Sequence, residues 1–69
     1  MNIDETLKWA SGLLTESCER PRFEAELLLA YHLEKDRIYL HAFDTSEVPD
    51  IKRYESLIER LSHMNPMNI

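Results

Sequence analysis

The side chains that could do chemistry in this chain are three histidines and one cysteine. No two of His32, His41 and His63 have the i, i+4 spacing with which a helix presents two imidazoles to one zinc ion. Cys18 could act as a nucleophile only with a nearby base and a lowered pKa, and no histidine is near it in the sequence. We therefore predict surface or boundary positions for all four. A small stand-alone enzyme that uses His32, His41 or Cys18 is the weakest of three interpretations of the chain.

Carboxylates and glycines indicate no active site either. Glu24 and Glu26 are two residues apart, so on a helix they point to different sides and cannot form a paired-carboxylate site. The single glycine, Gly12, excludes both a phosphate-binding Walker loop and a glycine-rich dinucleotide turn. We predict no catalytic, metal-binding or cofactor-binding residue in this chain.

Length and charge restrict the class of protein. The chain has 69 residues, one cysteine and a formal net charge of −5, so it is one small domain or a piece of one, without an internal disulfide. An acidic chain without a basic stripe is not expected to bind nucleic acid directly. It has no apolar run of the ~20 residues that span a bilayer and no basic signal-peptide start. The lone thiol also suits a reducing compartment, so we predict a cytoplasmic protein with no membrane partner.

The longest apolar stretch predicts a central helix that begins at Pro21 and ends near residue 35. Proline fits the first turn of a helix, and the following leucines, alanines and glutamates favour the helical state. The stretch is apolar nearly all round, which predicts burial at the centre of the domain. The residues at helical spacing that we assign to its main buried face are Phe23, Leu27, Ala30 and Leu33.

Capping signals divide the rest of the chain into three more helices. The first is predicted over residues 3–17, with Asn2 as N-cap and Glu5 completing a capping box. Asp36 caps a short helix through residue 43. This segment could be mistaken for a strand, but nothing else in the chain could pair with it. Asp50 opens a last amphipathic helix that ends near His63. The fold class is therefore all-α, a small bundle of four or five short helices around the central one.

Several large side chains exceed what so thin a bundle can bury. The candidates are Trp9, Phe23, Tyr39 and Phe43, together with the methionines of the last six residues. An uncovered apolar patch usually marks a contact with a partner or a neighbouring domain.

Four segments of the chain occur in the same order in one enzyme family. They are Leu7-Lys8-Trp9-Ala10-Ser11, Arg20-Pro21-Arg22-Phe23-Glu24-Ala25-Glu26-Leu27-Leu28-Leu29-Ala30, Lys35-Asp36-Arg37-Ile38-Tyr39-Leu40, and residues 54–60. The second is similar to the "R-x-E-A-E-L-L-L-A" signature of the PrmC/HemK release-factor glutamine methyltransferases. The resemblance is to the N-terminal domain of that family and extends to about residue 63.

The resemblance implies a domain without chemistry of its own. Residues 1–63 would form the helical substrate-recognition domain, and residues 64–69 would begin the linker to a C-terminal methyltransferase domain that the chain does not contain. The whole enzyme would use S-adenosylmethionine to methylate the glutamine of the GGQ motif in peptide-chain release factors, the proteins that act in translation termination. This fragment alone would bind no cofactor, and its partners would be a release factor and the methyltransferase domain.

The chain departs from the family in its last residues. The linker aromatic is missing after Pro66, and Asn65-Pro66 lacks the second proline and the aromatic of the family's catalytic motif.

As contacts for the release factor we predict Arg22, Arg37 and Tyr39, which are near helix ends. The alternative interpretation is a helical protein-interaction or self-associating scaffold domain with no link to methylation.

Overall fold

The computed structural model describes residues 1–63, which form four α-helices. They are α1 (Ile3–Leu14), α2 (Pro21–Leu33), α3 (Arg37–Ala42) and α4 (Ile51–His63). Among the described residues the only extended pairing is an isolated antiparallel bridge between Asn2 and Glu47. The all-α prediction is confirmed. The predicted linker, residues 64–69, lies outside the described part of the chain.

Helix α1 begins at the predicted capping box. The Asn2 side chain accepts from the Glu5 backbone N–H at 2.8 Å, and the Glu5 carboxylate accepts from the Asn2 N–H at 3.0 Å. These two bonds satisfy donors that have no partner inside the helix. The helix ends at Leu14, so the prediction of helix through residue 17 was three residues too long. The Cys18 N–H closes the end by donating to the Leu14 carbonyl at 2.9 Å.

A glycine inside a helix can mark a close crossing with another helix, and Gly12 lies inside α1. A Cβ atom built at Gly12 would meet no atom within 4 Å among the described residues. The glycine is therefore not required by packing in this part of the chain, and the close-crossing explanation is not supported.

Helix α2 is the central element, in contact with each of the other three helices. Its buried side, however, differs from the predicted one. Leu27 is 41% exposed and Tyr31 is 78% exposed, whereas Ala25 and Leu29 are fully buried. The prediction that Leu27 is on the buried face, and that the helix is covered nearly all round, was wrong. Because leucines occur on every side of this helix, the hydrophobic periodicity does not indicate which side is buried.

Helix α3 is short but well defined at its start. The Asp36 side chain accepts from the Tyr39 backbone N–H at 2.9 Å, as expected of an N-cap. Leu40 is the one residue of α3 that is buried in the core. The preceding turn reverses the chain at Glu34, whose φ of 57° is left-handed and whose backbone N–H bonds to the last carbonyls of α2. The interpretation of this segment as helix, not strand, is confirmed.

Helix α4 and the connector before it close the core. Tyr54 and Ile58 of α4 are fully buried, and Val48 of the connector is 6% exposed. The connector is held to the N-terminus by backbone bonds, such as that from the Val48 N–H to the Met1 carbonyl at 3.1 Å. Within residues 1–63, no helix is long and apolar enough to cross a membrane. The buried apolar residues are Ile3, Leu7, Ala10, Leu14, Ala25, Leu29, Ala30, Leu40, Val48, Tyr54 and Ile58.

The buried hydroxyl of Tyr54 links α4 to α2 by donating to the Ala25 carbonyl at 2.9 Å. Tyr54→Phe removes this bond and should lower the free energy of unfolding by about 1 kcal/mol. Tyr31→Phe is the matched control, because Tyr31 is 78% exposed and should change stability by no more than about 0.5 kcal/mol. Urea unfolding followed by circular dichroism measures both. Equal effects of the two substitutions would contradict the role assigned to the Tyr54 hydroxyl.

Candidate functional site: an arginine-paired carboxylate between α2 and α3

A buried carboxylate is the most unusual polar feature of the described residues. Glu26, on the core side of α2, is only 4% exposed. Burying an ionised carboxylate is costly unless the charge is paired and hydrogen-bonded. Two arginines supply that pairing, and they come from different helices. Every buried side-chain nitrogen and oxygen in residues 1–63 has a hydrogen-bond partner.

The first partner comes from the same helix. Arg22 is one turn before Glu26, and its Nε donates to Oε2 at 3.1 Å. The i, i+4 spacing places the two side chains next to each other on the helix surface. The Arg22 side chain remains 47% exposed, so its guanidinium is at the boundary between the core and the solvent.

The second partner comes from α3. Arg37 donates from Nε at 3.0 Å and from Nη2 at 2.7 Å, both to Oε1 of Glu26. Its guanidinium carbon also lies 4.8 Å from the centre of the Phe23 ring, within the range of a cation–π contact. The Asp36 cap fixes the start of α3, and with it the position of Arg37. A single arginine therefore joins the third helix to the second by charge and by stacking.

Electrostatics keep Glu26 ionised. Burial alone raises the pKa of its carboxyl. The hydrogen bonds from Arg37 and Arg22, with the charge of Arg37 and a smaller contribution from His41, outweigh burial and leave the pKa below its ordinary value. We call Glu26, Arg22 and Arg37 the Glu26 cluster. On the solvent-facing side of this cluster, His41 Nε2 is 3.8 Å from Oε2 of Glu26.

The structure brings two of the three predicted contact residues together. Arg22 and Arg37 meet at Glu26, and both remain about half exposed. Tyr39 is half-buried on α3, with its ring centre 4.7 Å from that of Phe43. Whether the three contact a partner stays a prediction. Sequence reasoning missed Glu26 as the residue that orders both arginines, although the Arg22–Glu26 spacing was a visible signal.

The remaining chemically reactive side chains are dispersed. His32 Nε2 is 2.8 Å from the Pro49 carbonyl, and His63 is exposed at the end of α4. Burial, followed by the charge of Glu24, raises the pKa of the Cys18 thiol, which opposes thiolate formation. In the described residues, no three metal-ligating side chains are grouped to hold an ion.

Glu26→Gln should lower the free energy of unfolding at pH 7 by about 1–3 kcal/mol, because charge-assisted hydrogen bonds to both arginines are lost. Glu24→Gln is the control, since Glu24 makes no ion pair among residues 1–63 and should have little effect. Stability from Glu26 is complete above its ordinary pKa of 4.5 and is lost as the pH falls through the lower folded value. The difference in the free energy of unfolding between the wild type and Glu26→Gln should therefore become smaller in acid. A difference that is small at pH 7, or that becomes larger in acid, would contradict the pairing of Glu26 with the two arginines.

Comparison with known proteins assigns the chain to a family. A family model described as the PrmC N-terminal domain matches residues 5–68. A release factor glutamine methyltransferase from Shewanella oneidensis is 37% identical over 60 residues, which cover 84% of this chain and 21% of that protein. The chain thus spans about a fifth of the length of this relative. No solved structure matches. The chain belongs to the family of PrmC N-terminal domains, in agreement with the resemblance seen in its sequence.

Proposed function

We propose that this chain is the non-catalytic, substrate-recognition part of a protein-(glutamine-N5) methyltransferase that acts on peptide-chain release factors. Its family and the name of its relative support a link to that enzyme. In this proposal, the rest of the enzyme binds S-adenosylmethionine and transfers the methyl group to the GGQ glutamine. The linker to that domain begins at residue 64. The chain holds the release factor in position, and positioning alone contributes to rate.

The observation that carries the proposal is the solvent-facing side of the Glu26 cluster. We define the α2–α3 surface by Arg22, Arg37, Ile38 and Tyr39. Ile38 is 77% exposed although it is aliphatic, and both arginines are about half exposed. Arginines, aromatic residues and exposed apolar side chains are the groups that protein interfaces favour at their centres.

The α2–α3 surface is suited to binding because its two arginine side chains are already held in place in the free domain. Glu26 holds Arg37 with two hydrogen bonds and Arg22 with one. Side chains that are already immobilised lose less conformational entropy when a partner binds. A guanidinium has five N–H donors, so donors remain free on each arginine after the bonds to Glu26 are made.

A self-associating or scaffold domain is the second candidate. Leu27, Tyr31 and Ile38 are exposed in the described structure, which is the kind of surface on which copies of a chain could pair. Light scattering over a range of concentrations separates the candidates. A mass that rises with concentration favours self-association, and a constant monomer mass favours recognition of another protein.

A release factor added to the isotope-labelled chain should shift amide resonances around Arg22, Arg37 and Tyr39. Ile38→Ser should weaken binding by about tenfold, because it removes the exposed aliphatic side chain of the α2–α3 surface. Leu13→Ser on α1 is the matched control, since Leu13 is also an exposed aliphatic side chain of the same size as Ile38 but lies on another helix. It should leave the affinity unchanged.

Two results would contradict this proposal. One is a folded chain that shows no shifts at high concentrations of release factor. The other is a pattern of shifts confined to α1, with binding lost in Leu13→Ser and retained in Ile38→Ser.

A further inference from the structure

A second surface feature is separate from the Glu26 cluster. A cleft of about 530 Å³ opens between the C-terminal half of α2 and α4. Ala30 of α2 and Leu57 of α4 supply apolar lining, and the exposed ring of Tyr31 stands beside them. An aliphatic side chain of a ligand could therefore be covered in this cleft without displacing any core residue.

Two cations line the same cleft, Lys35 from the turn after α2 and Arg53 from α4. Neither takes part in an ion pair or a side-chain hydrogen bond among residues 1–63, unlike Lys8, Arg22 and Arg37, which all pair with carboxylates. Lys35 Nζ lies 5.4 Å from the centre of the Tyr39 ring, which gives the ammonium a preferred place. Among the described residues, neither cation is neutralised by a paired carboxylate.

The other polar groups of the cleft do not cancel this charge. His32 is engaged with the Pro49 carbonyl at 2.8 Å. Glu34 is the one acidic lining residue, so two cations against one carboxylate leave a charge of +1 when the histidine is neutral. On a chain whose formal net charge is −5, this is a local reversal of sign.

We propose that this cleft binds an acidic peptide segment of a protein partner, in which a carboxylate is adjacent to an aliphatic side chain. The carboxylate pairs with Lys35 and Arg53, and the aliphatic group packs on Ala30 and Leu57. A small cationic area within an acidic surface suits one or two carboxylates. A nucleic acid needs a longer basic stripe to neutralise successive phosphates.

The cleft is a different surface from the α2–α3 surface, and the peptide that it binds need not belong to a release factor. Lys35 and Tyr39 are in contact, so the cleft adjoins the α2–α3 surface. One partner could therefore occupy both surfaces, with its acidic segment in the cleft.

The test is an NMR titration of the 69-residue chain with the capped peptide acetyl-Leu-Glu-Glu-Leu-amide. Shifts should cluster at residues 30–35 and 53–57. The glutamine analogue of the peptide should bind about two- to fivefold more weakly, as expected for the loss of an exposed ion pair. Arg53→Gln and Lys35→Gln should each weaken binding of the glutamate peptide to a similar extent. Lys52→Gln is the matched control, because Lys52 is also exposed but does not line the cleft.

Equal binding of the glutamate and glutamine peptides would overturn the inference, as would shifts located away from the cleft. So would an effect of Lys52→Gln equal to that of Arg53→Gln, or a stronger response of the same residues to a short oligothymidylate than to the peptide. The release-factor titration tells the two proposals apart. Loss of peptide binding in Arg53→Gln with Ile38-dependent release-factor binding intact would support the cleft, whereas a failed peptide titration with normal release-factor binding would remove the cleft alone.

Discussion

The fold depends on pairing one buried negative charge at the edge of a small apolar core. Glu26 is only 4% exposed, and a buried carboxylate left without a partner is strongly unfavourable. The pairing therefore has to be supplied within the chain. Arg22 supplies part of it through helix periodicity, and Arg37 supplies the rest only if the chain reverses after α2 and restarts as a capped helix. The left-handed turn at Glu34 and the Asp36 cap produce that reversal.

The same pairing connects two of the segments in which this chain resembles the family. In the run from Arg22 to Ala30, one residue pairs with the buried charge, Glu26 carries it, and Ala25 and Leu29 pack in the core. In the later run, Asp36 caps α3, Arg37 completes the pairing, and Leu40 enters the core. These two segments act as one structural unit that joins α2 to α3. Both arginines of that unit are hydrogen-bonded to Glu26 and remain about half exposed.

Much of the fold was predictable because its determinants are local. The capping box at Asn2, the cap at Asp36 and the proline at the start of α2 each act within one helical turn. The buried side of α2 was not predictable in the same way, because leucines surround the helix and only packing against its neighbours decides that Leu27 is exposed. For the candidate site, Arg22, Arg37 and Tyr39 could be chosen from the sequence as partner contacts, which stays a prediction. The link between Glu26 and Arg37 could not be predicted in the same way, because it joins residues 11 positions apart in the sequence. The cleft depends on how α4 lies against α2, which no local pattern specifies.

A double-mutant cycle between Glu26 and Arg37 tests the central claim most directly. The free energy of unfolding would be measured at pH 7 for the wild type, Glu26→Gln, Arg37→Gln and the double variant. Because Arg37 is 44% exposed, solvent screening reduces its contribution, and we expect a coupling energy of about 1–2 kcal/mol. A coupling energy within error of zero would mean that α3 is held by packing alone, and that the paired carboxylate does not organise the surface.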